Sequence, residues 1–217
     1  MTSSRLTNIL LTTVLVVAVA LLVCKMQSMK DESKSAAKVE TTQTETPELK
    51  AAEKGALETI FSRKSVRNYT DQPVDKETLL ELVKAGMAAP TAMNRQPWSF
   101  IVVTDMKTLE PINDMMGLRM LKQAKAAIFV LGKKDEKFWQ QDCSAATENI
   151  LLAAEAMGLG AVWCAGFPME DRLAEYKKIL NYSDEYEVLS LISIGYPTGE
   201  DKPKDKFKEE KIHWDRW

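Results

Sequence analysis

Residues 89–98 restrict the fold more than any other stretch, because two prolines there bracket small and amide-bearing residues. Proline stiffens the backbone at both ends, while the side-chain amides of Asn94 and Gln96 remain available for hydrogen bonds. A helical pattern leads into this stretch, and a run of aromatic and β-branched residues at 98–104 leaves it as a buried strand would. We therefore interpret residues 89–98 as a recognition loop held between two rigid elements, where functional residues concentrate.

The pattern around the loop predicts a succession of helices and strands. The apolar residues upstream of the loop recur at spacings of three and four: Leu79, Leu82, Val83, Gly86 and Met87. Asp75 is expected to cap this helix, and Pro90 is expected to end it. Hydrophobic patterns predict further strands at 126–132, 161–167 and 188–196, and helices at 57–61, 141–157 and 171–180. Residues 54–217 are thus expected to form one domain.

The N-terminal part of the chain differs in composition from the rest. Residues 9–23 are apolar except for two threonines, but at 1.5 Å per residue they span only about 22 Å, less than the ~30 Å of a bilayer core. We expect residues 1–25 to be either a lipoprotein signal, with Cys24 as the lipidated residue, or an uncleaved signal anchor. Residues 26–53 are predicted to form a flexible tether. The domain would then be membrane-associated, on a side that the flanking lysines do not determine.

Charge and cysteine usage argue against several function classes. The formal net charge is −2, and no basic helix with interleaved aromatic residues occurs, so nucleic acid is not expected as a partner. The three cysteines form no C-x-x-C pair, and the single histidine, His213, cannot supply a multi-histidine site, so no metal centre is predicted. A lone histidine without a Gly-x-Ser-x-Gly elbow also gives little support to a Ser-His-Asp hydrolase.

A cationic cluster, residues 62–67, precedes the helix that leads into the loop. In an extended segment Arg63, Ser65 and Arg67 would share one face, since side chains alternate with period two. Lys64 would either point the other way or use its length to reach the same side. An Arg-x-Ser-x-Arg face can hold a phosphate dianion through charge-assisted hydrogen bonds, each worth about 1.5 to 3 kcal/mol. The alternative is a solvated charged turn.

A methionine-rich segment lies between the first two predicted strands. Met115, Met116 and Met120 follow Met106 within it. Methionine is an adaptable core filler, so packing is one interpretation of this segment. A mobile lid over a substrate is the other.

The motifs at 63–67 and 89–98, with the amphipathic helix between them, resemble those of the FMN-dependent nitroreductase family, and the resemblance runs from Leu57 to the C-terminus. The family usually has Arg-Arg-Ser-Val-Arg and Ala-Pro-Ser-x-x-Asn-x-Gln-Pro-Trp, and this chain differs by Lys64 in the first motif and Thr91 in the second. The resemblance implies an α+β nitroreductase-like fold, with a mainly antiparallel central sheet of four core strands wrapped by helices. It also implies a homodimer with shared FMN sites.

The resemblance assigns roles to particular residues. The first motif would bind the FMN phosphate and ribityl chain through Arg63, Lys64, Ser65 and Arg67. The tail would complete the phosphate site with Lys206 or, as the second choice, Lys204. The loop, contributed by the other subunit, would lie against the flavin through Pro90, Thr91, Ala92, Asn94 and Gln96. Backbone N–H groups of Ala165 and Gly166 would face the flavin N5 edge, where a side chain on the glycine would crowd the ring.

By the same resemblance, the chain is expected to be an FMN-dependent oxidoreductase with NADH or NADPH as electron donor and a nitroaromatic or quinone-like small molecule as acceptor. Donor and acceptor would occupy the same place in turn, which gives ping-pong kinetics. No side chain need act as an obligatory acid or base. Two alternatives stay open, a reductive dehalogenase-like flavoenzyme and a membrane-tethered flavin electron carrier that nicotinamides do not reduce.

Overall fold

Helices cover both faces of one antiparallel sheet in the computed structural model, which describes residues 55–117 and 119–217. These residues belong to one compact unit. The predicted signal or anchor segment, 1–25, and the predicted tether, 26–53, lie outside the described residues, so both stay predictions. In the described part of the chain, no helix is long and apolar enough to cross a membrane.

The sheet has four strands in the order β1-β2-β4-β3, and all three pairings are antiparallel. The strands are β1 (Trp98–Val103), β2 (Ala126–Lys133), β3 (Gly160–Ala165) and β4 (Tyr186–Gly195). The predicted four-stranded antiparallel sheet is therefore confirmed, with each strand within two residues of its predicted bounds. Because β1 and β3 are the outermost strands of this order, each has one edge that no other strand of the sheet pairs with.

Six α-helices surround the sheet in the described part of the chain. They are α1 (Ala56–Ser62), α2 (Lys76–Met87), α3 (Met106–Met115), α4 (Met120–Ala124), α5 (Trp139–Ala156) and α6 (Glu170–Leu180). The predicted cap of α2 is confirmed, since the Asp75 carboxylate accepts a hydrogen bond from the Thr78 N–H at 2.7 Å. That hydrogen bond lowers the pKa of Asp75. Two 3-10 turns, Ala92–Asn94 and Glu209–Lys211, complete the regular structure.

Successive residues of the central strand β2 face opposite helical layers. Ile128 and Val130 belong to the apolar core shared with α2 and α5, whereas Phe129 and Leu131 belong to the core shared with α3, α4 and α6. A strand covered on both faces is apolar throughout, because neither set of alternating side chains meets water. This explains why residues 126–132 contain no charged residue.

The methionine-rich segment packs as two short helices, α3 and α4. Met120 is buried, and Met115 and Met116 lie against the same core as Phe129. The Met116 sulfur also accepts a hydrogen bond from the Tyr176 hydroxyl at 3.0 Å. The segment thus packs against the core in this structure, which agrees with the core-filling interpretation. Its second interpretation, as a lid, stays a prediction.

Candidate active site

The first motif runs along the edge of β3 that β4 does not pair with, which we call the outer edge. Ser65 forms a parallel bridge with Ala161, and the Val66 N–H donates to the Ala161 carbonyl at 3.0 Å. The Tyr69 hydroxyl donates to the Val66 carbonyl at 2.7 Å and lies 2.8 Å from the Ser193 hydroxyl. Burial raises the pKa of Tyr69 well above its usual value, so the phenol keeps its proton. These bonds hold the motif as an extended chain beside the sheet.

Two of the three cations in this motif pair with carboxylates of α5. Arg63 Nε lies 2.9 Å from Glu148 Oε1, and Lys64 Nζ lies 3.1 Å from Glu155 Oε2. The two glutamates are seven residues apart, so both lie on the same side of the helix. Lys64 therefore reaches the same side of α5 as Arg63, as its long side chain allows.

Lys64 pairs with the Glu155 carboxylate in this structure, and the phosphate contact that the resemblance implied stays a prediction. Glu155 is buried, with 6% of its surface exposed, and its Oε1 also accepts a hydrogen bond from the Ser62 hydroxyl at 3.0 Å. A buried carboxylate requires a paired cation to offset the loss of hydration. The structure therefore assigns Lys64 to the packing of α1 against α5.

The remaining cation, Arg67, is exposed next to the exposed Ser65. Arg67 Nη1 lies 3.4 Å from the Ser65 carbonyl, and the Arg67 N–H donates to Asp201 Oδ2 at 3.1 Å. Asp201 belongs to the extended chain that follows β4. The exposed Lys204 and Lys206 come three and five residues later. The tail therefore begins beside Arg67.

Ala165 directs its backbone toward the outer edge of β3. The Ala161 carbonyl points to that edge, since it accepts from Val66, and backbone groups face the same side at every second residue of a strand. Ala165 is four residues further on, about 13 Å along the strand. Its carbonyl accepts a hydrogen bond from Arg172 Nη1 at 3.0 Å. The N–H of Ala165 therefore faces the edge along which the first motif lies.

Gly166 does not offer a second N–H at this edge. Its N–H donates to the Leu189 carbonyl at 2.9 Å, so the predicted pair of donors reduces to Ala165 alone. The glycine is nevertheless required by its surroundings, because a Cβ there would lie 2.4 Å from the Val188 carbonyl oxygen. The residue that a side chain would crowd is therefore Val188, within the protein.

We expect Gly166→Ala to lower the free energy of unfolding by about 1 to 3 kcal/mol, because the backbone of β4 must move to admit the methyl group. Chemical denaturation without added cofactor measures the change. Gly55→Ala is the matched control, since a Cβ at Gly55 has no atom within 4 Å and the residue has φ −57°. Equal stability of the two variants would contradict the close approach at Val188.

The second motif forms a strained loop above the N-terminal turns of α5. The Ala92 N–H donates to Asp142 Oδ1 at 3.1 Å, and Asp142 is buried. Within the loop, the Gln96 N–H donates to Thr91 Oγ1 at 3.2 Å, and the Gln96 amide donates to Asn94 Oδ1 at 2.9 Å. Met93, Asn94 and Gln96 all have φ between 50° and 53°, in the left-handed region. Such strain in non-glycine residues concentrates at functional sites.

The two motifs contact different sides of α5. The loop is bound at Asp142, whereas the first motif is bound at Glu148 and Glu155. At 3.6 residues per turn, these glutamates lie about 120° to 140° around the helix from Asp142. The loop at Asp142 therefore gathers one group of predicted site residues: Pro90, Thr91, Ala92, Asn94 and Gln96. The other group, Ser65 and Arg67, lies with the first motif.

Positive charge collects at the end of β3. Burial raises the pKa of Cys164 to about 11, and the guanidinium groups of Arg172 and Arg67 oppose that increase. Both cations thus act on the residue that precedes Ala165. Sequence analysis missed Arg172, because no motif marks a position on the first turn of a helix. Among the described residues, no group of histidine, cysteine and acidic side chains could hold a metal ion.

Comparison with known proteins agrees with this geometry. A family model described as the nitroreductase family matches residues 60–122 and 114–196. A protein of Archaeoglobus fulgidus named NADH dehydrogenase/NAD(P)H nitroreductase is 40% identical over 170 residues, which cover 74% of this chain and 98% of that protein.

Solved structures show the same fold. A protein of the same name from Parabacteroides distasonis is 48% identical, with a TM-score of 0.71 over 75% of this chain and 98% of that one. An FMN-dependent nitroreductase from Clostridium difficile is 30% identical, with a TM-score of 0.69 over 73% of this chain and 98% of that one. The fold that the two motifs predicted is therefore confirmed.

Proposed function

Because this chain belongs to the nitroreductase family, we propose that it is an oxidoreductase that binds FMN. It would take electrons from NADH or NADPH and pass them to an electron-poor small molecule, such as a nitroaromatic or a quinone. The names of the similar proteins, NAD(P)H nitroreductase and FMN-dependent nitroreductase, support this donor and this cofactor. FMN, when bound, supplies the two-electron transfer chemistry. The protein holds the cofactor, orients it and limits what can approach it.

The observation that carries the proposal is the outer edge of β3. A single edge presents an outward backbone N–H at Ala165 and the exposed Ser65 hydroxyl beside Ala161, about 13 Å along the strand. The exposed Arg67 guanidinium follows Ser65 along the same edge. FMN is long, with a phosphate at one end and a flat ring with hydrogen-bonding atoms at the other. These residues fit both ends of such a group.

Arg67 and Ser65 would hold the phosphate, with help from the tail. A guanidinium and a hydroxyl are good donors to phosphate oxygens, and within the described part of the chain the Arg67 guanidinium forms no ion pair with a carboxylate. Lys204 and Lys206 follow Asp201, which touches Arg67, so either lysine can reach the same phosphate. Arg63 would join them only by leaving Glu148.

We expect Arg67→Ala to weaken FMN binding by about 10- to 100-fold, since one charge-assisted, partly bidentate contact is lost. Fluorescence titration of the apoprotein with FMN measures the dissociation constant. Lys84→Ala is the control, because this exposed lysine pairs only locally with Glu81 on α2. Full retention of FMN by the Arg67 variant on dilution would show that the phosphate lies elsewhere.

A homodimer with shared sites is part of the proposal. Within one protomer the loop and the first motif contact different sides of α5, so we infer that a loop from a second protomer places Asn94 and Gln96 against a cofactor at β3. The exposed apolar side chains of the tail, Phe207 and Trp214, support an oligomer, because they are 73% and 85% exposed on this chain alone.

Anaerobic titration of the purified full chain tests the function. FMN is added, the visible spectrum is recorded, and NADH or NADPH is added, followed by a nitroaromatic or a quinone. We expect the flavin absorption to bleach with the nicotinamide and to recover with the acceptor. Parallel lines in double-reciprocal plots would support the ping-pong order, because one binding place serves donor and acceptor in turn.

Other results would favour the alternatives. Bound flavin that neither nicotinamide reduces would favour an electron carrier that a protein partner reduces. Turnover with a haloaromatic acceptor and not with a nitroaromatic would favour a dehalogenase-like activity. A chain that binds no FMN at all would contradict the proposed function.

A further inference from the structure

Arg172 lies at the same edge of β3 as the proposed cofactor. Its Nη1 donates to the Ala165 carbonyl at 3.0 Å, and the side chain is partly exposed. The N–H and C=O of one strand residue point to the same side, so this guanidinium stands beside the outward N–H of Ala165. No motif in the sequence assigned a role to Arg172.

Arg172 helps to fix the peptide group between Ala165 and Gly166. The carbonyl of that peptide accepts from Arg172 on one side, and its N–H donates to the Leu189 carbonyl at 2.9 Å on the other. A peptide bonded on both sides cannot rotate freely. The Ala165 N–H belongs to the neighbouring peptide group, so its direction is set in part by Arg172.

The surroundings let the charge of Arg172 act over a short range. Its guanidinium opposes the rise in the pKa of Cys164 more strongly than that of Arg67 does. The charge of Arg172 therefore acts on the strand residue next to Ala165. Arg172 also borders a cavity of about 730 Å³ whose wall includes Met115, Met116 and Met169. The carboxylates on the same cavity, Glu170, Asp171 and Glu175, lie on α6.

We propose that Arg172 is a positioning residue that favours the reduced state of the bound cofactor, through its charge and through the Ala165 peptide. The inference rests on the proposed function. Hydride transfer brings two electrons and one proton from NADH or NADPH, which leaves as NAD⁺ or NADP⁺, so the bound FMN gains one negative charge. An arginine guanidinium stays protonated at any physiological pH and is already in place before that charge arrives.

The reduction potential of the bound FMN tests this proposal without measuring turnover. Arg172→Gln removes the charge, and Arg172→Lys keeps it. Lys178→Gln is the control, because this substitution removes one positive charge from the same helix. Lys178 is exposed, and its Nζ lies 3.6 Å from Glu175 Oε2. The potential is measured by equilibration with a reference dye during slow anaerobic reduction. Binding of oxidised FMN is measured separately by fluorescence.

For Arg172→Gln we expect the affinity for reduced FMN, relative to oxidised FMN, to fall about tenfold, which is about 30 mV for a two-electron couple. Binding of oxidised FMN should change by less than about threefold, since the phosphate contacts remain. Arg172→Lys should keep most of the parent potential, and Lys178→Gln should match the parent. Arg172→Met repeats the measurement if the glutamine variant does not fold.

Three results would overturn the inference. The first is a reduction potential of Arg172→Gln, or of Arg172→Met in its place, that equals the parent value. The second is an equal shift of the potential in Lys178→Gln, which would mean that only the net charge matters. A loss of oxidised and reduced binding by the same factor would make Arg172 a general support of the site. Each of these leaves the proposed function intact, whereas an unaltered chain that binds no FMN would remove both.

Discussion

Lys64→Met is expected to lower the free energy of unfolding by about 3 kcal/mol, because it removes the ammonium group that pairs with the buried Glu155 carboxylate. Glu155 has 6% of its surface exposed, and both of its oxygens lie within 3.3 Å of Lys64 Nζ. The hydrogen bond from the Ser62 hydroxyl to Glu155 is not altered by this substitution. Urea denaturation of the apoprotein measures the change.

The same variant separates two roles for Lys64. If Lys64 holds Glu155, the stability of Lys64→Met falls while the folded variant binds FMN within about threefold of the parent. If Lys64 bound the phosphate instead, the affinity would fall by 10-fold or more and the stability would change little. The family resemblance favours the second outcome and the contacts of the structure favour the first.

Two controls complete this experiment. Lys64→Met combined with Glu155→Leu removes both charges, and we expect it to recover most of the lost stability, since an apolar pair can replace a buried ion pair. Lys122→Met breaks an exposed ion pair with Asp114, in which the side chains of Lys122 and Asp114 are 46% and 65% exposed, and it should cost far less stability than Lys64→Met. If the surface variant and Lys64→Met were equally stable, Glu155 would not depend on Lys64.

The elements of the fold could be predicted because their periodicity is local. Strand β2 has apolar residues on both of its faces, and α2 has a capping aspartate and a proline that ends it. Each signal lies within about fifteen residues of the element that it defines, so no tertiary information was needed.

The partners of the site residues could not be predicted, because they come from distant parts of the sequence. Glu155 is 91 residues from Lys64. Arg63 and Lys64 reach the same side of α5 near the point where the chain leaves α1, since Arg63 is the C-cap with φ −55° and ψ 135°. A segment that follows a helix end does not keep the regular alternation of a long strand.

Gly166 and Arg172 illustrate two further limits. The sequence indicated that a side chain at Gly166 would be crowded, but the crowding atom belongs to Val188, 22 residues later. Arg172 donates to Ala165 only because α6 folds back beside β3. A motif search finds residues that recur at fixed spacing, whereas these contacts depend on how two elements pack.

Mixing two defective variants should restore FMN binding if each site is shared between two protomers. Arg67→Glu places a negative charge in the first motif. Asn94→Asp combined with Gln96→Glu keeps the shape of the loop and replaces both amide donors with carboxylates. Each variant alone is expected to bind FMN at least 100-fold more weakly than the parent, because a charge repels the phosphate or a ring contact is lost.

In a mixed dimer, the protomer with the altered loop supplies a normal Arg67, and the Arg67→Glu protomer supplies a normal loop. One of the two sites is then intact and the other carries both defects. Random pairing of equal amounts should restore about a quarter of all sites, since half of the dimers are mixed. Tagging the two variants differently and isolating the mixed dimer should raise that share to about half of its sites. FMN bound per protomer is read from the flavin absorption after gel filtration. If both motifs served one site within a single protomer, the mixture would bind no more FMN than its separate components, and the homodimer with shared sites would be wrong.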